Sequence, residues 1–101
     1  MLGKNIRKAL ILLKVTLQKE TQGTREMLKT YYLYKQGKIT EEDLRVANEQ
    51  LKKIFRDIGF GILTLIPFSL ITVPFVIKLA NKYKIDIVPD WFKDSLKENT
   101  K

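Results

Sequence analysis

Ile58 to Ile77 reads IGFGILTLIPFSLITVPFVI, twenty consecutive residues without a charged side chain. The remaining residues of the 101 hold all 19 Lys/Arg and all 11 Asp/Glu, so charge and apolarity are segregated along the chain. Twenty helical residues rise about 30 Å, the thickness of a hydrocarbon core. Arg56 and Lys78 bracket the stretch as snorkelling anchors do. A second reading competes with a span. Pro67 breaks a helix, and Thr72 followed by Pro74 suits a helix start, which would make two short apolar helices in a folded core. A soluble chain this small needs another apolar surface to cover so uniform a stretch, and the first helix offers one stripe. Transmembrane helices tolerate Pro and Gly, so membrane insertion is the expectation, as a proline-kinked helix, with a re-entrant hairpin also fitting the stretch.

Working outward, the N-terminal flank is basic. Residues 1–57 carry 13 basic and 7 acidic side chains, and residues 78–101 carry 6 and 4. Both flanks are basic, so charge does not orient a span decisively; the excess before Ile58 mildly favours the N-terminus on the cytoplasmic or matrix side. The net charge of +8 and pI of 9.8 point to a polyanionic neighbour, either nucleic acid or anionic lipid headgroups. Glu20 is the first carboxylate. Before it, Leu2, Ile6, Ala9, Leu10, Leu13 and Leu17 recur at helical spacing and define one apolar face. This basic amphipathic helix can pack on the rest of the protein or lie on a membrane surface. The apolar run Ala9–Leu13 is too short for a secretory signal. The candidate contacts for an anionic partner are Lys4, Arg7, Lys8, Lys14, Lys52, Lys53 and Arg56; a solvated helix face is the plainer account of the same residues.

Gly23 offers an interruption in what otherwise reads as one long basic first helix, the first arm of an antiparallel hairpin. Met27, Leu28, Tyr31, Tyr32 and Tyr34 then resume a helical pattern, with the tyrosines suited to packing or an interfacial belt more than to base stacking. Gly37 fits a left-handed helix end, and Thr40 with Asp43 three residues on forms a capping box. The result is a helical hairpin whose second arm carries Leu44, Ala47, Leu51, Ile54 and Ile58 as a short heptad seam. After Ile77, Leu79, Ala80 and Tyr83 extend a helix to about Lys84. Ile85 to Phe92 reads as an extended aromatic turn, and Lys93–Lys101 as a fraying polar tail.

The chain has no Cys and no His. A disulfide framework, a thiolate nucleophile, a zinc–thiolate site and the commonest general base at neutral pH are therefore unavailable. Gly59 and Gly61 are too few for a phosphate loop, and Glu41, Glu42 and Asp43 serve as helix-start chemistry. No cofactor, metal or small-molecule substrate is indicated, and the chain is not read as an enzyme.

The stretch Leu65 to Phe75 with Pro67-Phe68 and Pro74-Phe75, then Leu79, then Asp86 to Phe92 with Pro89-x-x-Phe92, resembles the leucine-zipper/EF-hand transmembrane protein family, the Letm family. Gly37 to Thr40 and the charged helix after it resemble the segment preceding that family's span. The resemblance covers roughly residues 25 to 92. It implies a protein of the mitochondrial inner or bacterial cytoplasmic membrane with a single span, contact with ribosomes, and a link to cation/proton exchange. Two departures stand out. Little of the family's ribosome-binding-type domain follows Phe92. The carboxylate common after the second Pro-Phe is also missing, since no acidic residue lies between Asp57 and Asp86. An exchanger needs an ionisable group at membrane depth, so transport by this chain alone is disfavoured.

The expected fold is therefore all-α: a basic helical hairpin over 1–57, an apolar membrane-inserted segment over 58–77, and a short helix, turn and tail over 78–101. The expected function is non-enzymatic contact with ribosomes or anionic lipid at a membrane surface. The alternatives are a cation/proton transport component, with a homo-oligomer lining the pathway, and a soluble helical interaction module.

Overall fold

The computed structural model describes residues 2–59 and 71–99. They form five α-helices and no strand: α1 Leu2–Leu17, α2 Gln22–Lys35, α3 Glu41–Ile58, α4 Val73–Lys82 and α5 Asp90–Asn99. The all-α expectation holds. Among the described residues no helix is long and apolar enough to cross a membrane. Pro67 and Phe68, at the centre of the expected span, lie outside the described residues.

The long first helix expected for the N-terminal arm is instead two helices, α1 and α2, and the break falls before Gly23. Gln18 to Thr21 leave the helix, and the Thr21 hydroxyl accepts the Thr24 backbone N–H at 3.1 Å as the N-cap of α2. Gly23 sits inside α2, where a Cβ would stand 2.6 Å from Gln50 Nε2 of α3. The atoms met are the end of a flexible side chain, so close backbone approach is not what glycine serves here, and the interruption lies earlier, at Gln18 to Thr21. The hairpin turn follows the sequence. Gly37 has φ +69°; its N–H donates to Tyr34 C=O, and that of Lys38 to Leu33 C=O. Thr40 and Asp43 complete the capping box, with Asp43 N–H on the Thr40 hydroxyl at 3.1 Å and Thr40 N–H on the Asp43 carboxylate at 3.3 Å.

The seam of α3 buries Ala47, Leu51 and Ile54, with Phe55 fully buried beside them. Leu44 and Ile58 are only half-buried. α3 stops at Ile58, capped by Gly59, and α4 begins afresh at Val73. The single kinked helix expected over 58–77 is thus replaced, at its described ends, by a helix stop and a helix start. Local chemistry accounts for the start. Thr72 caps α4 by accepting the Phe75 N–H, and Pro74 occupies the first turn, where its missing N–H costs nothing. Asn48 Oδ1 of α3 accepts the Val73 N–H at 2.8 Å, satisfying a group that α4 cannot. Ile71, Val73, Val76 and Ile77 are buried, so the end of the uncharged stretch lies in the protein core.

α4 ends on a second tight turn. Lys84 adopts φ 58°, while its N–H and that of Ile85 close on Asn81 and Ala80 carbonyls. A left-handed lysine carries a steric cost of about 1 kcal/mol, which the buried Ile85 and Ile87 offset. The expected extended turn covers only residues 85–89. Pro89 is fully buried, and its carbonyl accepts the Phe92 N–H at 3.1 Å as α5 begins. The expected fraying tail is instead helical to Asn99. Asp90 in the first turn complements the helix dipole, and Phe92 and Leu96, four apart, share the face turned to the core.

One hydrophobic core draws on all five helices. Leu10, Leu13 and Leu17 of α1 enter it with Met27, Leu28, Phe55, Val76 and Phe92. Leu13→Ala empties space at a residue with no exposed surface. It is expected to lower unfolding free energy by ~2–5 kcal/mol in urea titrations followed by circular dichroism. Leu12→Ala, one residue away on the outer side, is expected within ~0.5 kcal/mol of the parent. Equal losses at both positions would contradict this placement of α1.

Candidate anionic-partner interface

The seven candidate cations divide by what they touch. Arg7 Nη1 donates to the Tyr83 carbonyl at 3.2 Å, so this guanidinium ties α1 to the end of α4. Tyr83 also lies against Gly3, where a Cβ would meet its hydroxyl at 3.4 Å. Lys14 stands near enough to Asp86 for its charge to act on that carboxylate. Lys52 Nζ pairs with Glu49 Oε1 at 3.6 Å and is largely covered. These three residues serve the fold as well as the surface. Lys4, Lys8, Lys53 and Arg56 are exposed, and none forms an ion pair among the described residues.

Helix geometry arranges the outer side of α1. At about 3.6 residues per turn, Lys4, Lys8, Leu12 and Val15 follow one another at spacings of four and three, with Ile11 beside them, three after Lys8 and four before Val15. They lie opposite the buried Leu10, Leu13 and Leu17. Ile11 is 43%, Leu12 47% and Val15 64% exposed. The outer face thus pairs an apolar patch with lysines, and α1 holds no carboxylate to offset them. Lys19 and Lys53 continue the cationic edge past the helix end. They line a cleft of about 400 Å³ with Thr16, Gln50 and Asp57.

The apolar patch escaped the sequence reading, which assigned α1 a single apolar stripe. The signal was present in Ala9–Leu13, apolar at five successive positions and therefore on every side of a helix. A second cleft, about 450 Å³, lies between α2 and α3. Met27, Ile39 and Val46 line it together with Glu26, Lys38 and Asp43, and these mixed charges set it apart from the face of α1.

The described motif residues of the family resemblance are structural. Pro74 and Phe75 open α4, with Phe75 half-buried against the core. Pro89 and Phe92 open α5 and are both buried. Two of the three clustered tyrosines also pack, while Tyr34 is exposed. Tyr31 and Tyr32 lie against the core, and Lys35 Nζ sits 5.8 Å from the Tyr31 ring centre. Burial, helped by Tyr34, pushes the Tyr31 hydroxyl above its ordinary pKa.

Two contacts lock the inner side of α1 against the C-terminal third. One is Arg7 with Tyr83. The other is Trp91 Nε1, which donates to the Leu17 carbonyl at 3.1 Å and satisfies a terminal acceptor of α1. Near this second contact, Asp86 binds Lys93 and accepts the Val88 N–H at 3.1 Å. Burial pushes the Asp86 carboxyl upward. The Lys93 and Val88 hydrogen bonds and the Lys93 and Lys14 charges outweigh it and hold the carboxyl below its ordinary value.

Comparison with protein-family models, curated proteins and solved structures finds no match for the chain. The Letm resemblance therefore rests on the residues that carry it.

The lowered Asp86 pKa fixes a sign. Its contribution is present above the unfolded carboxylate value of about 3.9 and is lost as pH falls through the lower folded value. Because the pair with Lys93 is roughly half exposed, Asp86→Asn is expected to cost under ~1 kcal/mol at neutral pH. Below about pH 4 the variant should converge on the parent in urea midpoints. A difference that stays constant as pH falls from neutral into the acid range would remove Asp86 from the acid response.

Proposed function

We propose that this chain is a non-enzymatic, Letm-like helical protein that works at a membrane, docking on a polyanionic surface through the outer face of α1 and the last turns of α3. The observation that carries the reading is the group Lys4, Lys8, Lys53 and Arg56: exposed, without ion-pair partners among the described residues, on helices whose inner faces are fixed in the core. Such cations attract phosphate-bearing surfaces over a Debye length, about 8 Å at physiological salt. Membrane attachment through the uncharged stretch rests on its sequence alone, because Ile71, Val73, Val76 and Ile77 at its end are buried in the core, and the family resemblance adds the ribosome as a second polyanion at the same boundary. The transport alternative has only that resemblance behind it.

A soluble helical interaction module is the second reading. It is favoured by the burial of Ile71, Val73, Val76 and Ile77 among the other helices.

Fractionation of expressing cells separates the readings. The chain is expected in the membrane pellet. Retention through a carbonate wash assigns an integral segment within 58–77, and release assigns surface docking. Ribosome co-sedimentation that falls steeply with salt would add the ribosome as a partner. Recovery in the soluble fraction, without binding to phosphatidylglycerol vesicles at low salt, would overturn the membrane reading in favour of the module.

A further inference from the structure

We propose that the outer face of α1 is an interfacial docking surface for an anionic bilayer, with Ile11, Leu12 and Val15 entering the headgroup–acyl boundary and Lys4 and Lys8 resting on lipid phosphates. This inference rests on the membrane-docking reading and specifies the partner and the mode of contact.

Three of the five exposed large hydrophobics among the described residues are Ile11, Leu12 and Val15, within a turn and a half of one helix. The apolar face of an isolated amphipathic helix would be free to serve a membrane, but here that face is already committed to the protein core. The exposed patch is a second apolar surface on the opposite side. Its lysines lie on the same stripe, one turn apart, and α1 supplies no carboxylate. A lipid surface complements both features at once: acyl chains accept the aliphatic side chains and phosphates neutralise the ammonium groups.

Other occupants satisfy only half of the surface. A nucleic acid would neutralise Lys4 and Lys8 but offer nothing to three aliphatic side chains, which do not stack on bases as aromatics do. A second copy would cover the aliphatic side chains, but a two-fold interface of α1 on α1 brings two cationic helices together without an acidic counterpart. The geometry also suits shallow entry. Lys4 to Val15 spans about 17 Å along the axis, and interfacial helices sink about 5–10 Å. The bonds from Arg7 to Tyr83 and from Trp91 to Leu17 hold α1 on the protein body while its far side meets the lipid.

The absence of cysteine allows a single reporter. Full-length Val15→Cys carrying an environment-sensitive fluorophore is mixed with vesicles of phosphatidylglycerol and phosphatidylcholine at about 3:7, or of phosphatidylcholine alone. With the anionic vesicles the probe is expected to shift to the blue and to be quenched by acyl-chain nitroxides. Lys4→Gln/Lys8→Gln and, separately, Ile11→Ser/Leu12→Ser are each expected to weaken that response by about tenfold or more. Circular dichroism and Trp91 emission should stay at parent values, showing that the fold survives. If the chain sediments with anionic vesicles while the probe stays in water, the interfacial mode is wrong and the docking reading stands. If the chain binds neither vesicle, both fall. A blue shift without lipid, in step with dimer formation by ultracentrifugation, would assign the face to a second copy. Equal responses to neutral and anionic vesicles would remove the requirement for a net anionic surface and with it the electrostatic role of Lys4 and Lys8.

Discussion

Burial of the Leu10–Leu13–Leu17 edge of α1 is the constraint from which the other placements follow. An isolated helix of this length is marginal in water, and α1 has no acidic residue in its first turn to complement the dipole. Its stability comes from what covers it. α3 packs against it, and Leu51 and Phe55 of α3, Val76 of α4 and Phe92 of α5 share its core cluster. Two polar contacts fix the orientation, Arg7 on the Tyr83 carbonyl and Trp91 on the Leu17 carbonyl. Once these side chains hold one face of α1, the other face has nowhere to turn but outward.

That geometry joins the fold to the proposed role. A helix that is apolar on both sides and cationic at its outer positions is unfavourable as a free-standing element in water. Packing settles one side. The other side has the composition of a surface that meets lipid: aliphatic side chains between lysines, without carboxylates. The hairpin of α2 and α3 adds Lys53 near the end of α1, so the cationic edge comes from two elements distant in sequence. The proposed surface therefore depends on the tertiary fold and not on α1 alone.

Local chemistry was legible where a few adjacent residues decide the outcome. Gly37, Thr40 and Asp43 specify the hairpin turn through backbone conformation and two reciprocal hydrogen bonds. Thr72 and Pro74 specify a helix start, and the sequence left that reading open beside a continuous span. What could not be read locally depends on distant partners. Phe55 lies off the heptad seam and is buried because several helices converge on it. α5 looked like a polar tail because Lys93, Asp94, Lys97 and Glu98 dominate its composition. Phe92 and Leu96 anchor it only because a core exists to receive them. In α1, five successive apolar residues do not say which will be covered, and only packing separates Leu10 and Leu13 from Ile11 and Leu12.

The central claim is that α1 keeps one face in the protein core and offers the other to a membrane. Single cysteines placed along positions 3 to 17 of the otherwise cysteine-free chain, probed with a water-soluble thiol reagent, test it most directly. The account predicts slow reaction at 6, 9, 10, 13 and 17 and fast reaction at 4, 8, 11, 12 and 15 without lipid. Phosphatidylglycerol vesicles should protect the second set at 11, 12 and 15 and leave the first unchanged. Uniform reactivity along the helix, or protection at 11, 12 and 15 already present in the lipid-free monomer, would contradict it.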